Sequence, residues 1–199
     1  MGRDPDRRIL FLFRHGETDW NREQRYQGRQ DVALNATGRD QARRNGRALA
    51  AALDARRLAV AYVASPLLRA RQTMEIVRRE LGLPVDGYAI DARLAEINYG
   101  DWEGRLWQEL PQSDPQGFAA RKADMWNWQP RGGESYRALS ARVAQWVASV
   151  AGDTLVVSHG GVMRVLRGLL EQLTPAAIFA LPVPQDRVLI ITDGDGSWL

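Results

Sequence analysis

The chain of 199 residues contains no cysteine, which excludes disulfide bonds, thiolate metal sites and a cysteine nucleophile. It also lacks any long apolar run, since no segment approaches the ~20 apolar residues that a membrane span needs. The N-terminal sequence MGRDPDRR is charged, and the apolar run after it, from Ile9 to Phe13, is too short for a signal-peptide core. We therefore expect a cytoplasmic protein with no membrane segment.

Lysine is almost absent, because Lys122 is the single lysine among the 27 basic residues. The net charge is +3 and the isoelectric point is about 9.7, values that often indicate a nucleic-acid partner. Here the arginines are spread along the chain and are mostly interleaved with acidic residues, so we do not expect nucleic-acid binding. Lys122 lies in AARKAD without a preceding glycine loop, which excludes a nucleotide-binding P-loop.

What the sequence does contain is a repeated pattern of apolar strand followed by charged residues or a helix. The pattern occurs in RRILFLFRHG, in LAVAYVASPLLRARQTMEIVRREL and in DTLVVSHGGVMRVLRGLLEQL. Continuous apolar runs of this kind are typical of parallel strands that are covered on both faces. They predict an α/β protein with an open, mainly parallel sheet, and VLIIT near the end is a further strand that we place at the sheet edge.

Two helix starts carry recognisable signals. Thr37 followed by Asp40 resembles a capping box, and Ser65-Pro66 is typical of an N-cap and a first helical residue. We therefore predict that helices begin at these two positions.

The amino-acid composition of the sequence changes between about residues 96 and 131. Tryptophans 102, 107, 126 and 128 cluster there with glycines and prolines. We interpret this stretch as a small insertion over the C-terminal ends of the strands, within a single domain that spans residues 1–199. The tryptophans are either the core of a small helical subdomain or part of a substrate pocket.

Polar residues follow the predicted strands at the end where ligands bind in open α/β sheets. The first strand leads into Arg14 and His15, the second into Arg69 in the first turn of its helix, and the third into His159, Gly160 and Gly161. The chain has two histidines, and both fall at such a strand end. We expect these residues to meet in one crevice.

Two arginines and two histidines together predict an anion site. The guanidinium fork matches pairs of phosphate oxygens, and a helix start after HGG adds backbone N–H groups. A phosphate monoester carries up to two negative charges near neutral pH, which offsets the repulsion between Arg14 and His15.

A histidine is also a nucleophile, and neighbouring arginines favour its neutral form. The departing alkoxide then needs a proton. Glu17, Glu96 and Glu103 are all candidate acids on the residues alone.

A metal site formed by His15, Glu17 and His159 is the competing interpretation, because imidazole and carboxylate are common metal ligands. Arg14 and Arg69 in the same crevice would repel a cation, which argues against it. The DGDGS sequence near the C-terminus resembles part of a calcium loop, but we predict a solvated turn there.

The sequence resembles the histidine phosphatase superfamily in its phosphoglycerate-mutase-like branch. The resemblance rests on FRHGETDWN, the Gln27-Gly28 pair, LNATGRDQA, SPLLRARQT, LAEINYGDWEG, GGES and VSHGGVMR, which occur in the family's order over nearly the whole chain. It implies a three-layer α/β/α sandwich and no metal or organic cofactor.

The resemblance also implies roles. His15 resembles the phosphorylated nucleophile, Glu96 resembles the proton donor and later general base, and Arg14, Arg69 and His159 resemble the phosphate clamp. The positions that match substrate-binding residues are Asn21, Gln27, Gly28, Tyr99 and Gly160.

The implied activity is hydrolysis of a small phosphate ester, and two alternatives remain. Mutases of the branch carry a lysine where Trp107 stands, a longer insertion with paired arginines to which Arg121-Lys122 is a loose counterpart, and a longer C-terminal tail. These departures favour a phosphatase over a phosphoglycerate mutase. A non-catalytic protein that binds phosphorylated ligands is the other alternative. The substrate alcohol and the oligomeric state are left open by the sequence.

Overall fold

The structure is a computed structural model that describes residues 8–53 and 60–199. Most of the charged N-terminal octapeptide, and the beginning of the second predicted strand segment at residues 58 and 59, lie outside the described residues. No described helix is both long and apolar enough to cross a membrane.

The described residues form six strands, eight α-helices and three short 3₁₀ turns. The strands are β1 (Ile9–Arg14), β2 (Ala61–Ala64), β3 (Ala89–Ile90), β4 (Thr154–Ser158), β5 (Val188–Thr192) and β6 (Asp195–Trp198). The helices are α1 (Asp19–Arg22), α2 (Ala36–Ala52), α3 (Leu68–Glu80), α4 (Leu110–Ser113), α5 (Pro115–Ala123), α6 (Tyr136–Ser149), α7 (Gly160–Leu170) and α8 (Pro175–Ala180). The 3₁₀ turns are Ala92–Leu94, Gly100–Trp102 and Trp107–Glu109.

The strands make one open sheet in the order β3-β2-β4-β1-β5-β6. The first four strands in this order are parallel, and β5 and β6 are added antiparallel to their neighbours. The predicted mainly parallel α/β sheet is therefore confirmed.

Helices cover both faces of the sheet, which explains the continuous apolar runs in the sequence. Successive side chains of β1 alternate between the faces: Leu10 and Leu12 pack with α6, α7 and α8, while Phe11 and Phe13 pack with α2 and α3. All four side chains are at least 98% buried. The result is the expected three-layer α/β/α sandwich.

The C-terminal end of the sheet differs from its prediction. VLIIT forms β5, but it is not an edge strand, because β6 pairs with it antiparallel. Asp193 and Gly194 join the two strands with φ angles of 55° and 88°. The solvated turn predicted for DGDGS is therefore limited to its first two residues, because Asp195, Gly196 and Ser197 belong to β6, which this left-handed turn allows to pair with β5.

Both predicted helix starts are wrong by a few residues. Helix α2 begins after Asn35, whose side chain accepts the N–H of Gly38 at 2.9 Å, so that Thr37 lies inside the helix. Helix α3 begins at Leu68, after Ser65 and Pro66, and Leu67 caps it without a side-chain bond. In both cases the helix start coincides with a contact to a residue outside the helix. Asn35 is also hydrogen-bonded to Glu17, and the Ser65 hydroxyl is hydrogen-bonded to His159.

The region between residues 96 and 131 contains two of the 3₁₀ turns and helices α4 and α5. Trp102 is 98% buried, contacts the tilted ring of Trp128 with ring centroids 4.3 Å apart and donates its indole N–H to Asp114 at 2.8 Å. Trp126 packs against the main core, whereas Trp107 is 41% exposed. Three of the four tryptophans are thus structural, and Trp107 alone lines the cavity described below.

Helix α2 packs closely against the segment after β1 at two glycines, Gly16 and Gly38. A Cβ atom on Gly38 would lie 2.1 Å from the carbonyl oxygen of Glu17, and one on Gly16 would lie 2.2 Å from the carbonyl oxygen of Gly38. Because both neighbours are backbone atoms, no side-chain rotation relieves such a clash.

We predict that Gly38→Ala destabilises the protein although alanine is the better helix former. The clash costs about 1–3 kcal/mol or more, against a gain of ~1 kcal/mol in helix propensity. The melting temperature should fall by several degrees, at roughly 2–4 °C per kcal/mol for a chain of this size. Gly152→Ala is the matched control, since a Cβ there meets nothing within 4 Å. Equal melting temperatures for the two variants would contradict the predicted clash.

Candidate active site

The pairing of β1 with β4 brings the two histidines together. Arg14 is in register with Ser158 at the carboxyl ends of these adjacent parallel strands. The N–H of His15 donates to the carbonyl of Ser158 at 2.9 Å, and the imidazole centroids of His15 and His159 lie 5.1 Å apart. The expected meeting of both histidines in one crevice is observed.

His15 is held in one tautomer by its own backbone. Nδ1 lies 2.7 Å from the carbonyl oxygen of Gly16, which accepts a hydrogen bond but cannot donate one, so Nδ1 carries the ring proton. Nε2 therefore carries the free lone pair of the ring, which accepts the Nε–H of Arg69 at 3.3 Å, and this long hydrogen bond has to break before Nε2 can attack another atom. Burial, and then the charges of Arg69 and Arg14, hold the pKa of His15 well below its usual value of 6.5, so the ring is neutral at pH 7.

Arg69 is fully buried in the first turn of α3. Its two terminal nitrogens donate to the carbonyl oxygens of Gln30 at 2.7 Å and Gly28 at 2.8 Å. Burial lowers the pKa of Arg69 to about 10, so the guanidinium stays charged at neutral pH. Since a guanidinium has five N–H donors, two remain for a ligand after these contacts and the one with His15.

The Arg14 side chain is held by a residue near the C-terminal end of the chain. Its Nη1 donates to the carbonyl oxygen of Val183, in the loop before β5, at 2.6 Å. Its Nε is buried without a hydrogen-bond partner among the described residues. Burial lowers the pKa of Arg14, while the nearby carboxylate of Glu96 raises it.

His159 is the N-cap residue of α7 and is completely buried. Its Nε2 lies 2.6 Å from the Ser65 hydroxyl, and its Nδ1 has no partner within the described part of the chain. Burial and the charge of Arg69 hold its pKa well below 6.5.

The structure places one of the three candidate acids at the cavity and directs the other two elsewhere. Glu96 lines the cavity that contains His15, and its carboxylate accepts the N–H of Gly161 at 3.2 Å. Glu17 instead accepts the side-chain amide of Asn35 at 2.8 Å, and Glu103 accepts the N–H of Arg29 at 2.8 Å. Neither of these two glutamates lines that cavity, so Glu96 is the carboxylate placed beside His15.

Two adjoining cavities open at this end of the sheet. The inner cavity has a volume of about 170 Å³, and the outer cavity has a volume of about 610 Å³. Nine of the ten residues predicted from the sequence line the inner cavity, namely Arg14, His15, Asn21, Gln27, Gly28, Arg69, Glu96, Tyr99 and Gly160. His159, the tenth, lies beside His15 beneath the cavity surface.

Unpartnered buried polar atoms are concentrated at this site. Six side-chain nitrogen or oxygen atoms in the described residues are buried without a hydrogen-bond partner. Four of the six belong to Arg14, Tyr26, Gln27 and His159, around the inner cavity. Because buried polar groups in folded proteins are normally hydrogen-bonded, this concentration marks a binding site for a polar ligand.

Several site residues were missed by the sequence analysis. Tyr26, Tyr136 and Arg164 line both cavities. Arg164 stands four residues after Gly160 on α7, and this helical spacing was a signal that could have placed it on the same face. Tyr26 directly precedes the Gln27-Gly28 pair, whereas nothing in the sequence signalled Tyr136.

Asn21 is oriented by a residue that no motif indicated. The side-chain N–H₂ of Gln185 donates to Oδ1 of Asn21 and to the carbonyl oxygen of His15, both at 3.0 Å. The backbone N–H of Thr18 also donates to Oδ1 of Asn21, at 3.2 Å. With Oδ1 engaged, the N–H₂ group of Asn21 is left to face the cavity that Asn21 lines.

The competing metal interpretation finds no support in the geometry. Nε2 of His15 faces the cationic Arg69, and Glu17 is directed to Asn35. Over residues 8–53 and 60–199, no three His, Cys, Asp or Glu side chains are grouped as metal ligands would be.

Comparisons with known proteins agree with this geometry. The model of the histidine phosphatase superfamily (branch 1) matches residues 10–199. A 2,3-bisphosphoglycerate-dependent phosphoglycerate mutase from Azorhizobium caulinodans is 35% identical, over 86% of this chain and 85% of the relative. A glucosyl-3-phosphoglycerate phosphatase from Mycolicibacterium vanbaalenii is 33% identical, over 96% of this chain and 83% of the relative. The crystal structure of a putative alpha-ribazole-5'-P phosphatase from Escherichia coli matches with a TM-score of 0.83 at 30% identity, over 96% of this chain and 94% of that chain.

We predict that neither histidine of the folded protein becomes protonated as the pH is lowered through 6.5, because burial, and then the neighbouring arginine charges, hold both pKa values well below 6.5. The chain has only two histidines, so the NMR spectrum contains two imidazole Cε1–H signals, which His15→Asn assigns. Unfolded histidines bind protons below about pH 6.5 while the folded ones do not, so the free energy of unfolding should also fall as the pH is lowered through this value. The urea-unfolded chain, titrating near pH 6.5, is the control. A folded-state midpoint at or above 6.5 for either ring would contradict the prediction.

Proposed function

This chain belongs to the histidine phosphatase superfamily (branch 1), and we propose that it is a phosphomonoesterase that hydrolyses small phosphorylated metabolites through a phosphohistidine on His15. The observation that carries the proposal is the neutral His15, with its Nε2 lone pair at a cavity bounded by two arginines. The homologous enzymes are named as phosphatases and as phosphoglycerate mutases, so phosphoryl chemistry is common to both groups.

In the first step, Nε2 of His15 attacks phosphorus and the bond between phosphorus and the alcohol oxygen breaks. The electron pair of that bond leaves with the oxygen, and the carboxyl group of Glu96 donates the proton that completes the alcohol. In the second step, water attacks the phosphohistidine while the Glu96 carboxylate takes the proton from the water. The phosphorus–nitrogen bond breaks, its electron pair returns to Nε2, and inorganic phosphate is released.

The phosphoryl oxygens are held by charge and by oriented donors. Arg14 offers its buried Nε–H, and Arg69 offers two N–H groups. We assign Nδ1 of His159 as a further donor, because its Nε2 can accept the proton of the Ser65 hydroxyl, which lies 2.6 Å away. Positive charge fixed in a buried cavity stabilises the transferring phosphoryl group more strongly than the same charge in water.

Gly161 explains how Glu96 approaches this group. A Cβ atom at position 161 would lie 2.6 Å from an oxygen of Glu96, so a glycine is required for the carboxylate to reach the first turn of α7. There it accepts a backbone N–H and borders the same cavity as His15. This position supports the role of Glu96 as proton donor and later general base.

We propose water rather than a second alcohol as the final phosphoryl acceptor. Trp107, which replaces the lysine of the mutases, lines the outer cavity and is 41% exposed. Of the Arg121-Lys122 pair, Arg121 lines that cavity, while Lys122 is exposed and does not. The outer cavity therefore offers less charge to a second phosphate, and its opening admits water to the phosphoenzyme.

The phosphoenzyme is the direct test of this function. Brief incubation with ³²P-labelled phosphate ester should yield an acid-labile, base-stable label on His15, and a chase without acceptor should release it as inorganic phosphate. His15→Asn should abolish labelling and lower turnover by at least about 10³-fold. Normal turnover by His15→Asn would refute the nucleophile assignment. Transfer of the label to 3-phosphoglycerate with little phosphate release would identify a mutase, and binding without turnover would identify a phospho-ligand-binding protein.

Replacement of Glu96 tests the proton donor separately. Glu96→Gln should slow phosphorylation by an alkyl phosphate by about 10²–10⁴-fold, the usual contribution of general acid catalysis. With 4-nitrophenyl phosphate the loss should be much smaller, because nitrophenolate leaves without a proton. Single-turnover measurements isolate this step, and Glu109→Gln, which alters an exposed carboxylate that lines neither cavity, is the control. Equal losses on both substrates in Glu96→Gln would show that Glu96 is not the acid.

A further inference from the structure

The segment that carries Glu96 has no regular secondary structure of its own. It connects the 3₁₀ turn at Ala92–Leu94 to the one at Gly100–Trp102, and residues 95–99 belong to no helix or strand. Such a segment lacks the repeated backbone hydrogen bonds that hold a helix or a strand in place. The position of the Glu96 carboxylate is therefore fixed by contacts from other parts of the chain.

Arg142 supplies two of these contacts from helix α6. Its Nη1 donates to the carbonyl oxygen of Arg93 at 2.6 Å, and its Nη2 donates to the carbonyl oxygen of Glu96 at 3.1 Å. The same guanidinium donates from Nε and Nη2 to the two carboxylate oxygens of Glu134, at 2.7 and 2.9 Å. These contacts use most of the five N–H groups of the guanidinium, and two of them hold the backbone at and before Glu96.

Glu134 contacts the same segment two residues further along the chain. Its backbone N–H donates to the carbonyl oxygen of Asn98 at 2.8 Å, and its carboxylate accepts the N–H of Asn98 at 3.4 Å. Gly133 allows this approach, because a Cβ atom there would lie 2.6 Å from the carbonyl oxygen of Asn98. Ser135 is the N-cap of α6, the helix that carries the arginine. The GGES sequence, which has no part in the reaction described above, therefore both contacts the segment and begins this helix.

The pair formed by Glu134 and Arg142 does not border the space where the substrate reacts. Neither residue lines the inner or the outer cavity. Their side chains are 14% and 17% exposed, and their opposite charges lie 2.7 Å apart. A compensated pair adds no net charge to the phosphoryl site, in contrast to Arg14 and Arg69. The pair therefore acts on the geometry of the segment that it holds.

We propose that Arg142 and Glu134 are positioning residues that place the carboxyl group of Glu96 beside His15. This inference rests on the proposed phosphomonoesterase function and concerns its proton donor. The Glu96 side chain reaches the first turn of α7, where it accepts the N–H of Gly161 at 3.2 Å. Movement of the backbone that bears Glu96 would shift the carboxyl group along this turn. A displacement of about 1 Å is enough to lower a reaction rate by about 10²-fold.

The basicity of the leaving group distinguishes positioning of the acid from a general structural role. Arg142→Met removes the N–H donors and keeps an unbranched side chain. Single-turnover phosphorylation by glycerol 3-phosphate should slow by about 10–100-fold. Phosphorylation by 4-nitrophenyl phosphate, whose leaving group needs no proton, should change by less than about threefold. In the Glu96→Gln background, Arg142→Met should slow the reaction of glycerol 3-phosphate by at most about twofold more, because both changes remove the same proton transfer.

A second variant and a matched pair of controls accompany this measurement. Glu134→Gln turns an N–H₂ group towards donors that now face a carboxylate, so it should show the same selective loss and keeps the test open if Arg142→Met does not fold. Arg167 and Glu171 form a similar ion pair on α7, also 2.7 Å apart and with side chains 11% and 16% exposed. Arg167→Met and Glu171→Gln should therefore leave the ratio of the two phosphorylation rates unchanged.

Three results would overturn the inference: equal losses on both substrates, a full additional loss in the Glu96→Gln background, or the same selective loss in Arg167→Met. Glu96→Gln alone separates this inference from the proposed function. If that variant shows no selective loss on glycerol 3-phosphate, the proton donor of the proposed function is wrong. If it does and neither Arg142→Met nor Glu134→Gln does, only the positioning role fails.

Discussion

The arrangement of the site depends on burying two guanidinium groups beside two imidazoles without pairing either arginine to a carboxylate among the described residues. Burial of a charge is costly unless hydrogen bonds replace water. Here backbone carbonyls do so, from Gly28 and Gln30 to Arg69 and from Val183 to Arg14. Neutral oxygens preserve the net positive charge that a carboxylate would cancel. Burial, and then that charge, keep the imidazoles neutral, and a neutral imidazole is the nucleophilic form.

The loop that supplies the carbonyl oxygens of Gly28 and Gln30 is itself held in place by hydrogen bonds. Gly28 has a φ angle of +51°, and a Cβ there would lie 1.8 Å from a carboxylate oxygen of Glu103. The same carboxylate accepts the backbone N–H groups of Arg29 and Tyr99 at 2.8 and 3.1 Å. Glu103, considered from the sequence as a catalytic acid, therefore ties the loop that holds Arg69 to the segment that follows Glu96. Its other carboxylate oxygen accepts the side-chain amide of Gln30 at 2.9 Å, so Glu103 is held at this loop and does not line the inner cavity.

The sequence predicted the sheet and most of the inner cavity because these follow from local and periodic signals. The apolar runs of β1 and β4 set the strand ends, and register between adjacent parallel strands then places His15 next to His159. Prediction from the sequence failed where a side chain contacts a residue that is far away along the chain. Ser65 looked like a helix cap because its use by His159, 94 residues away, has no local signature. Gln185 was missed for the same reason, since its contact with Asn21 spans 164 residues.

The Trp-rich region connects the outer cavity to the loop that orients Arg69. Its backbone pairs with the segment that precedes Gly28: the N–H of Gly104 donates to the carbonyl of Tyr26, and the N–H of Trp107 donates to the carbonyl of Gln24, at 2.8 and 3.0 Å. Trp107 and Tyr26 are also in ring contact at 5.9 Å. Trp107 is thus connected to the segment that leads to Gly28, whose carbonyl orients Arg69. Within this fold, the wall of the outer cavity at Trp107 and the loop that orients Arg69 therefore belong to one connected network of backbone hydrogen bonds.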